Sequence, residues 1–213
     1  MANLDHVVTS GIFTLDGEDF NVDNNVWIIG DDREVVVIDA AHDAAAIRAG
    51  IGDRHLRAIL CTHGHNDHIN AAVELSEETD APIFLHPDDA MLWQTVYPEH
   101  KFDTELRHKD KIKVGSSTLN VIHTPGHSPG GCCFHLASEG LLFSGDTLFN
   151  GGPGATGRSF SSYEVILESI QKRLFGLPAQ TTVHTGHGDS TSIGAEAPSM
   201  NEWRKKLEAE TEG

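Results

Sequence analysis

Four side chains of metal-ligand type fall within six consecutive residues of this chain, in Thr62-His63-Gly64-His65-Asn66-Asp67-His68. The apolar run Arg57-Ala58-Ile59-Leu60-Cys61 leads into them and reads as a buried strand, and a helical pattern follows over residues 70–79. The H-x-H-x-D-H set is therefore expected on a loop between strand end and helix start, where open α/β layers commonly place their chemistry. In an extended loop His63 and His65 point the same way, because side chains alternate with period two, while Asp67 and His68 can face a different centre. Imidazole and carboxylate donors suit zinc or iron better than magnesium or calcium.

The rest of the chain alternates β-rich and helical patterns. Residues 11–20 alternate loosely, with a turn signal at Asp16-Gly17. The β-branched runs at 26–29 and 35–38 flank Gly30-Asp31-Asp32-Arg33, which reads as a hairpin turn, and the second run ends at Asp39. A helix is expected over 44–51 with its stop at Gly52-Asp53, a short strand over 81–85, and a helix over 87–96 with Pro87 in its first turn. Residues 97–113 are polar and without a period, so they read as a surface loop that could lie over the site. Strands are expected at 118–123, 131–136, 141–144 and 181–184, and helices at 161–175 and 200–210. No linker or repeat divides the 213 residues, so one domain over 1–213 is expected.

Composition narrows the partners. The net charge is −17, which argues against nucleic-acid backbone or an anionic membrane and leaves a small molecule as the expected partner, with oligomeric state open. No apolar run approaches the ~20 residues of a membrane helix, and the first ten residues lack the pattern of a signal peptide. Cys61, Cys132 and Cys133 do not form a disulfide framework; reduced core thiols in a cytoplasmic protein are expected, with the adjacent pair facing opposite sides of a strand.

Three further segments pair a strand end with a candidate ligand beside glycine: His127 in Thr124-Pro125-Gly126-His127-Ser128-Pro129-Gly130-Gly131, Asp146 in Ser144-Gly145-Asp146-Thr147-Leu148-Phe149, and His187 in Thr185-Gly186-His187-Gly188-Asp189. Singly each is weak. Together with the first loop they match T-H-x-H-x-D-H, T-P-G-H-[ST]-x-G, G-D-[TV]-L-F and G-H-G in order, and the chain resembles the metallo-β-lactamase superfamily, within it the glyoxalase II-like hydrolases. That resemblance implies an α+β fold, a four-layer αβ/βα sandwich with the site at one edge. It implies two divalent metal ions, zinc first with iron or manganese as alternatives: one on His63, His65 and His127, the other on Asp67, His68 and His187, with Asp146 bridging.

The chemistry so implied is hydrolysis of a small-molecule thioester of a low-molecular-weight thiol by a hydroxide bridging the metals, with Asp67 and Asp146 as the catalytic carboxylates. His68 weighs against true β-lactamase activity. Two departures bear on substrate. The chain ends at Gly213, without the C-terminal helical domain whose basic residues grip glutathione in longer glyoxalase II enzymes, which leaves the carrier open among glutathione, mycothiol, bacillithiol or none. The loop after the G-D-T-L-F motif is long, residues 150–158, and offers Arg158 for a substrate carboxylate and Phe149 as an apolar wall. The alternatives are a mononuclear-iron persulfide dioxygenase, whose Cys-bearing loop after the Asp146 motif is missing here, and a hydrolase of another ester class such as lactones. The remaining histidines read as core, supporting or surface groups, and Asp39 as an acceptor for a ligand histidine.

Overall fold

The computed structural model describes residues 2–15 and 18–211. The turn expected at Asp16-Gly17 lies outside the described residues. The first half runs β1 (Asn3–Leu15), β2 (Glu18–Gly30), β3 (Glu34–Ile38), α1 (Ala44–Ile51), β4 (His55–Leu60), α2 (Asn66–Ile69), α3 (Ala72–Thr79), β5 (Ile83–Leu85), a 3-10 turn (Pro87–Asp89), α4 (Ala90–Val96) and β6 (Thr104–Glu105). The second half runs β7 (Lys111–Val114), β8 (Ser117–His123), β9 (Cys132–Leu136), β10 (Leu141–Gly145), β11 (Leu148–Phe149), β12 (Gly152–Pro153), α5 (Tyr163–Ser169), a π-helical turn (Ile170–Leu174), β13 (Thr182–Thr185), β14 (Thr191–Ser192), α6 (Ile193–Glu196) and α7 (Met200–Thr211).

Two six-stranded sheets, ordered β1-β2-β3-β4-β5-β6 and β14-β13-β10-β9-β8-β7, pack face to face. The side-chain period of two sorts each strand into two cores. In β3, Val35 and Val37 face Ile47, Leu75 and Trp93 on the helices, whereas Val36 and Ile38 face Phe134 and Phe143 on the other sheet. Strands buried on both faces read as continuous apolar runs, which is why 35–38 shows no alternation. In β9, Cys132 enters the inter-sheet core and Cys133 the outer core, where Ile166, Leu174 and Trp203 cover the second sheet. The result is the expected four-layer αβ/βα sandwich. Each fully buried Val, Ile or Leu contributes roughly 1.5–3 kcal/mol.

Several local expectations change. Residues 66–69 already form a helical turn, so Asp67 and His68 sit on α2 rather than on an extended loop, and α3 starts at Ala72. The helix expected at 161–175 starts at Tyr163, capped by Ser162, and loosens into the π-helical turn at Ile170. Residues 97–113 contain β6 and the start of β7, bury Leu106, and close over Trp93, whose indole N–H donates to His100 O at 2.9 Å. Not this segment but the β1–β2 hairpin reaches the site. Its thirteen-pair register is far longer than the β-branched run at 26–29 suggests. Weak alternation in 3–25 hides that length, because more than half of the side chains described there stay wet.

Candidate metal centre

Every ligand-type residue singled out lies just past a strand. The loop after β4 carries His63 and His65 and leads into α2; the loop after β8 carries His127; Asp146 follows β10; His187 follows β13. The backbone must come close there. At Gly186 a Cβ would collide with Asp146 Oδ1 and His68, so only glycine lets β13 pass behind the centre. At Gly145, φ +47° is left-handed and a side chain would strike Thr62.

The structure brings all seven together. His63, His65 and His127 form one group whose donor atoms lie within 4.8 Å of one another, and Asp67, His68 and His187 form a second. Asp146 spans them: Oδ1 is 3.3 Å from His68 Nε2, and Oδ2 is 3.6 Å from both His127 Nε2 and His187 Nε2.

Outer hydrogen bonds fix the tautomers. His68 Nδ1 donates to Asp39 Oδ2 at 2.9 Å, His127 Nδ1 to Ala155 O at 2.7 Å, and His187 Nδ1 to Asp23 O at 2.8 Å. Thr62 gives its hydroxyl proton to Asp39 Oδ2 at 2.7 Å, so His63 Nδ1, 3.0 Å from Thr62 Oγ1, carries the proton between them. The inward nitrogens of these four rings are thereby left as lone pairs. Asp39 thus accepts from a ligand histidine as expected, and with three donors satisfied it has no call for a cation.

Inside, the donors oppose one another. His65 Nδ1 stands 3.0 Å from His127 Nε2, and His68 Nε2 3.1 Å from His187 Nε2. His63 Nε2 and Asp146 Oδ1 are buried with no hydrogen-bond partner. Orphaned buried acceptors cost about 1–3 kcal/mol each, so this donor set fits a bound cation. Charge agrees. Burial, then the neighbouring His68, holds His63 far below its ordinary pKa, and burial with His127 beside it pushes His65 to about 3. Burial would raise Asp67, but His68 and His187 outweigh it and keep the carboxyl at about 2. Burial likewise opposes charge on His68, yet Asp146, Asp67 and Asp39 pull its pKa well up. Two ionised carboxylates, Asp67 and Asp146, thus face the cluster and draw positive charge onto it, a proton on His68 or, in its place, a divalent metal.

Elsewhere His86, Asp88 and His123 also gather. The two imidazoles are stacked at 4.0 Å and 8°, so their lone pairs run parallel instead of converging. His86 and His123 brace loops.

Some participants carry no sequence signal. Asn24, buried on β2, donates to Asp67 Oδ2 at 3.3 Å, and its Oδ1 meets His42 Nε2 at 2.9 Å. Asp89 accepts from Gly64 N, Ser128 Oγ and Gly130 N, tying the first ligand loop to the second.

The metal donors open onto a cavity of about 400 Å³, walled by Phe13, Val22, Asp23, Ala155, Arg158 and Ser161. Arg158 lies there with its guanidinium 5.5 Å above the Phe13 ring. Phe149 is 6.3 Å from the His187 ring but does not line the cavity.

The family model described as the metallo-beta-lactamase superfamily matches residues 20–194. Hydroxyacylglutathione hydrolase GloC of Haemophilus influenzae is 29% identical, covering 80% of this chain and 87% of that one. Among solved structures, TTHA1623 in a di-iron-bound form is similar with TM-score 0.74 and 31% identity, covering 83% of this chain and 93% of that one. BLEG-1 B3 metallo-beta-lactamase is similar with TM-score 0.76 and 29% identity, covering 89% and 97%.

Proposed function

The chain belongs to the metallo-beta-lactamase superfamily and is a metal-dependent hydrolase of it; from that premise we propose that it cleaves a small-molecule thioester. The observation that carries the reading is the seven-donor centre, with His63 Nε2 and Asp146 Oδ1 left orphaned at its middle. His63, His65 and His127 would hold one divalent ion and Asp67, His68 and His187 the other, Asp146 serving both; zinc is the first choice, and the di-iron form of TTHA1623 keeps iron in view. Such ions, when bound, lower the pKa of water and polarise a carbonyl.

The chain's own groups do the rest. Asp39, Thr62, Asp23 O and Ala155 O hold the imidazoles in one tautomer and orientation, so the centre is preorganised. Phe13, Val22 and Ala155 keep one wall apolar, which limits water around a bound carbonyl. Asp67 and Asp146 are held ionised and stand where a proton leaving water could be shared. A thiolate leaves without a general acid, which suits a site whose carboxylates already face the donor cluster. Arg158 is the cation of the cavity wall and can pair with a substrate carboxylate.

The name of the Haemophilus relative supports the thioester class, and the likeness to a B3 metallo-beta-lactamase puts a β-lactam in the comparison. Metal-loaded enzyme is to be assayed on thioesters of several small thiols, lactones, a chromogenic β-lactam and a phosphodiester at matched concentration. Thioesters are expected to lead; inert thioesters beside a turned-over lactone or β-lactam overturn the assignment. One tightly held iron per chain, with no second metal taken up on loading, would favour a persulfide dioxygenase.

A further inference from the structure

Beyond the metal cavity lies a second chamber of about 330 Å³. The two share Phe13, His65, Arg158 and Ser159, so they are neighbouring rooms with one common wall. Each falls within the size of small-molecule sites, roughly 300–1,000 Å³. The outer side of the second chamber comes from α4, through Leu92, Thr95 and Val96, and its mouth from Phe160.

Three features give this chamber a chemical character. Its larger walls are apolar: Phe13, Leu92, Val96 and Phe160. None of its lining residues is acidic, although 32 of the 213 residues of the chain are, so a cationic guest finds no counter-charge. Arg158, at the junction, pairs with no carboxylate among the described residues; its guanidinium lies over Phe13. Phe160 is 61% exposed and holds a left-handed φ of +69°, an apolar ring kept in water at a backbone cost.

We infer that the second chamber is a substrate subsite: it takes an extended, mainly apolar, uncharged or anionic arm of the molecule whose carbonyl sits at the metal centre. The inference rests on the reading that a carbonyl compound is cleaved there. An ester or thioester has two arms; the cavity lined by His65, Asp67, His127, Asp146 and His187 takes the carbonyl and one arm, and the other is left to the chamber on the far side of His65 and Phe13. Adjacency to the metal donors selects the substrate as the guest, and charge selects the kind of arm.

Two ladders of probes test this on metal-loaded protein by calorimetry: linear alkanoates and linear alkanethiols of increasing length. One ladder is expected to gain about fourfold in affinity per methylene until the chamber is full, and which ladder does so identifies the arm. Thr95 is exposed and its hydroxyl bonds only Leu92 O in its own helix, so Thr95→Trp adds bulk at the chamber wall at small cost to the fold; it should flatten that ladder while leaving the shortest member unchanged. Val96→Ala should move the plateau to longer chains. Two flat ladders in the wild type, or a slope that survives Thr95→Trp, overturn the inference. Its fate is separate from that of the thioester reading: inert thioesters beside a Trp-sensitive ladder would remove the reaction and keep the chamber, and active thioesters beside flat ladders would do the reverse.

Discussion

Asn24 holds Asp67 through a chain of hydrogen bonds whose polarity has one solution. Its amide N–H donates to Asp67 Oδ2, so its Oδ1 must accept, and His42 Nε2 must carry a proton. His42 Nδ1 is then a lone pair that accepts from Asn70 Nδ2 at 2.9 Å, and Asn70 Oδ1 accepts from the His42 backbone N–H at 2.6 Å. Burial lowers the His42 pKa, which favours the neutral ring that the chain needs. Loss of such outer partners typically costs about 10- to 100-fold in metal affinity. Asn24→Ala is therefore expected to weaken one of the two proposed metals selectively, read as biphasic chelator competition with one phase shifted; two unshifted phases would refute the role. Asp146 faces both groups and His187 one, so at matched metal content Asp146→Ala should lose more turnover than His187→Ala. Equal turnover would contradict the bridging position.

At the scale of elements, the centre depends on loops that meet far apart in sequence, and the Pro87–Asp89 turn clamps two of them. Asp89 is fully buried. Burial raises its pKa, while the bonds from Ser128, Gly130 and Gly64 pull the other way. A Cβ on Gly130 would press into Asp89, and one on Gly64 would press on Leu92 and Asp89, so both glycines are set by this clamp. Asp89→Ala strands three donors and should cost at least about 3 kcal/mol. For a chain of this size that lowers the melting temperature by on the order of 10 °C. Asp89→Asn, which keeps an acceptor, should lose less. Equal melting temperatures for wild type and Asp89→Ala, by calorimetry on metal-loaded protein, would show that the loops hold without it.

Across the whole molecule, the two sheets trap a histidine between them. His184 lies 4.5 Å from the Trp27 ring and 5.3 Å from the Phe143 ring, and its Nε2 has no hydrogen-bond partner. Burial, with His6 nearby, lowers its pKa to about 4. An unfolded histidine titrates near 6.5. Between those values the unfolded chain binds the extra proton, so this contribution to stability is full above about 6.5 and is lost as pH falls toward 4. His184→Gln should flatten the decline: urea midpoints at pH 7, 5.5 and 4.5 ought to fall less steeply in the variant. Parallel declines would show that other groups govern acid unfolding. Among the described residues no helix is long and apolar enough to cross a membrane.

What the chain declares in linear order is its chemistry and its layers. Ligand spacing in 63–68 is local, so the H-x-H-x-D-H set could be read directly, and the glycines beside His127 and His187 flagged the places where backbone must crowd a centre. Continuous apolar runs such as 35–38 and the adjacent Cys132 and Cys133 carried the two-faced burial of a sandwich. Tertiary structure alone decided the partners that act at a distance. Asn24 reaches Asp67 across 43 positions, Asp89 reaches Gly130 across 41, and Phe13 meets Arg158 at the cavity wall. No pattern in sequence marks such pairs, because a hydrogen bond or a ring contact depends on which strand edges the sheet order brings side by side, and that order is settled by packing over the whole chain. The long β1–β2 hairpin shows the same limit from the other side: its outer residues stay in water, so they lack the apolar signal that exposed the rest of the fold.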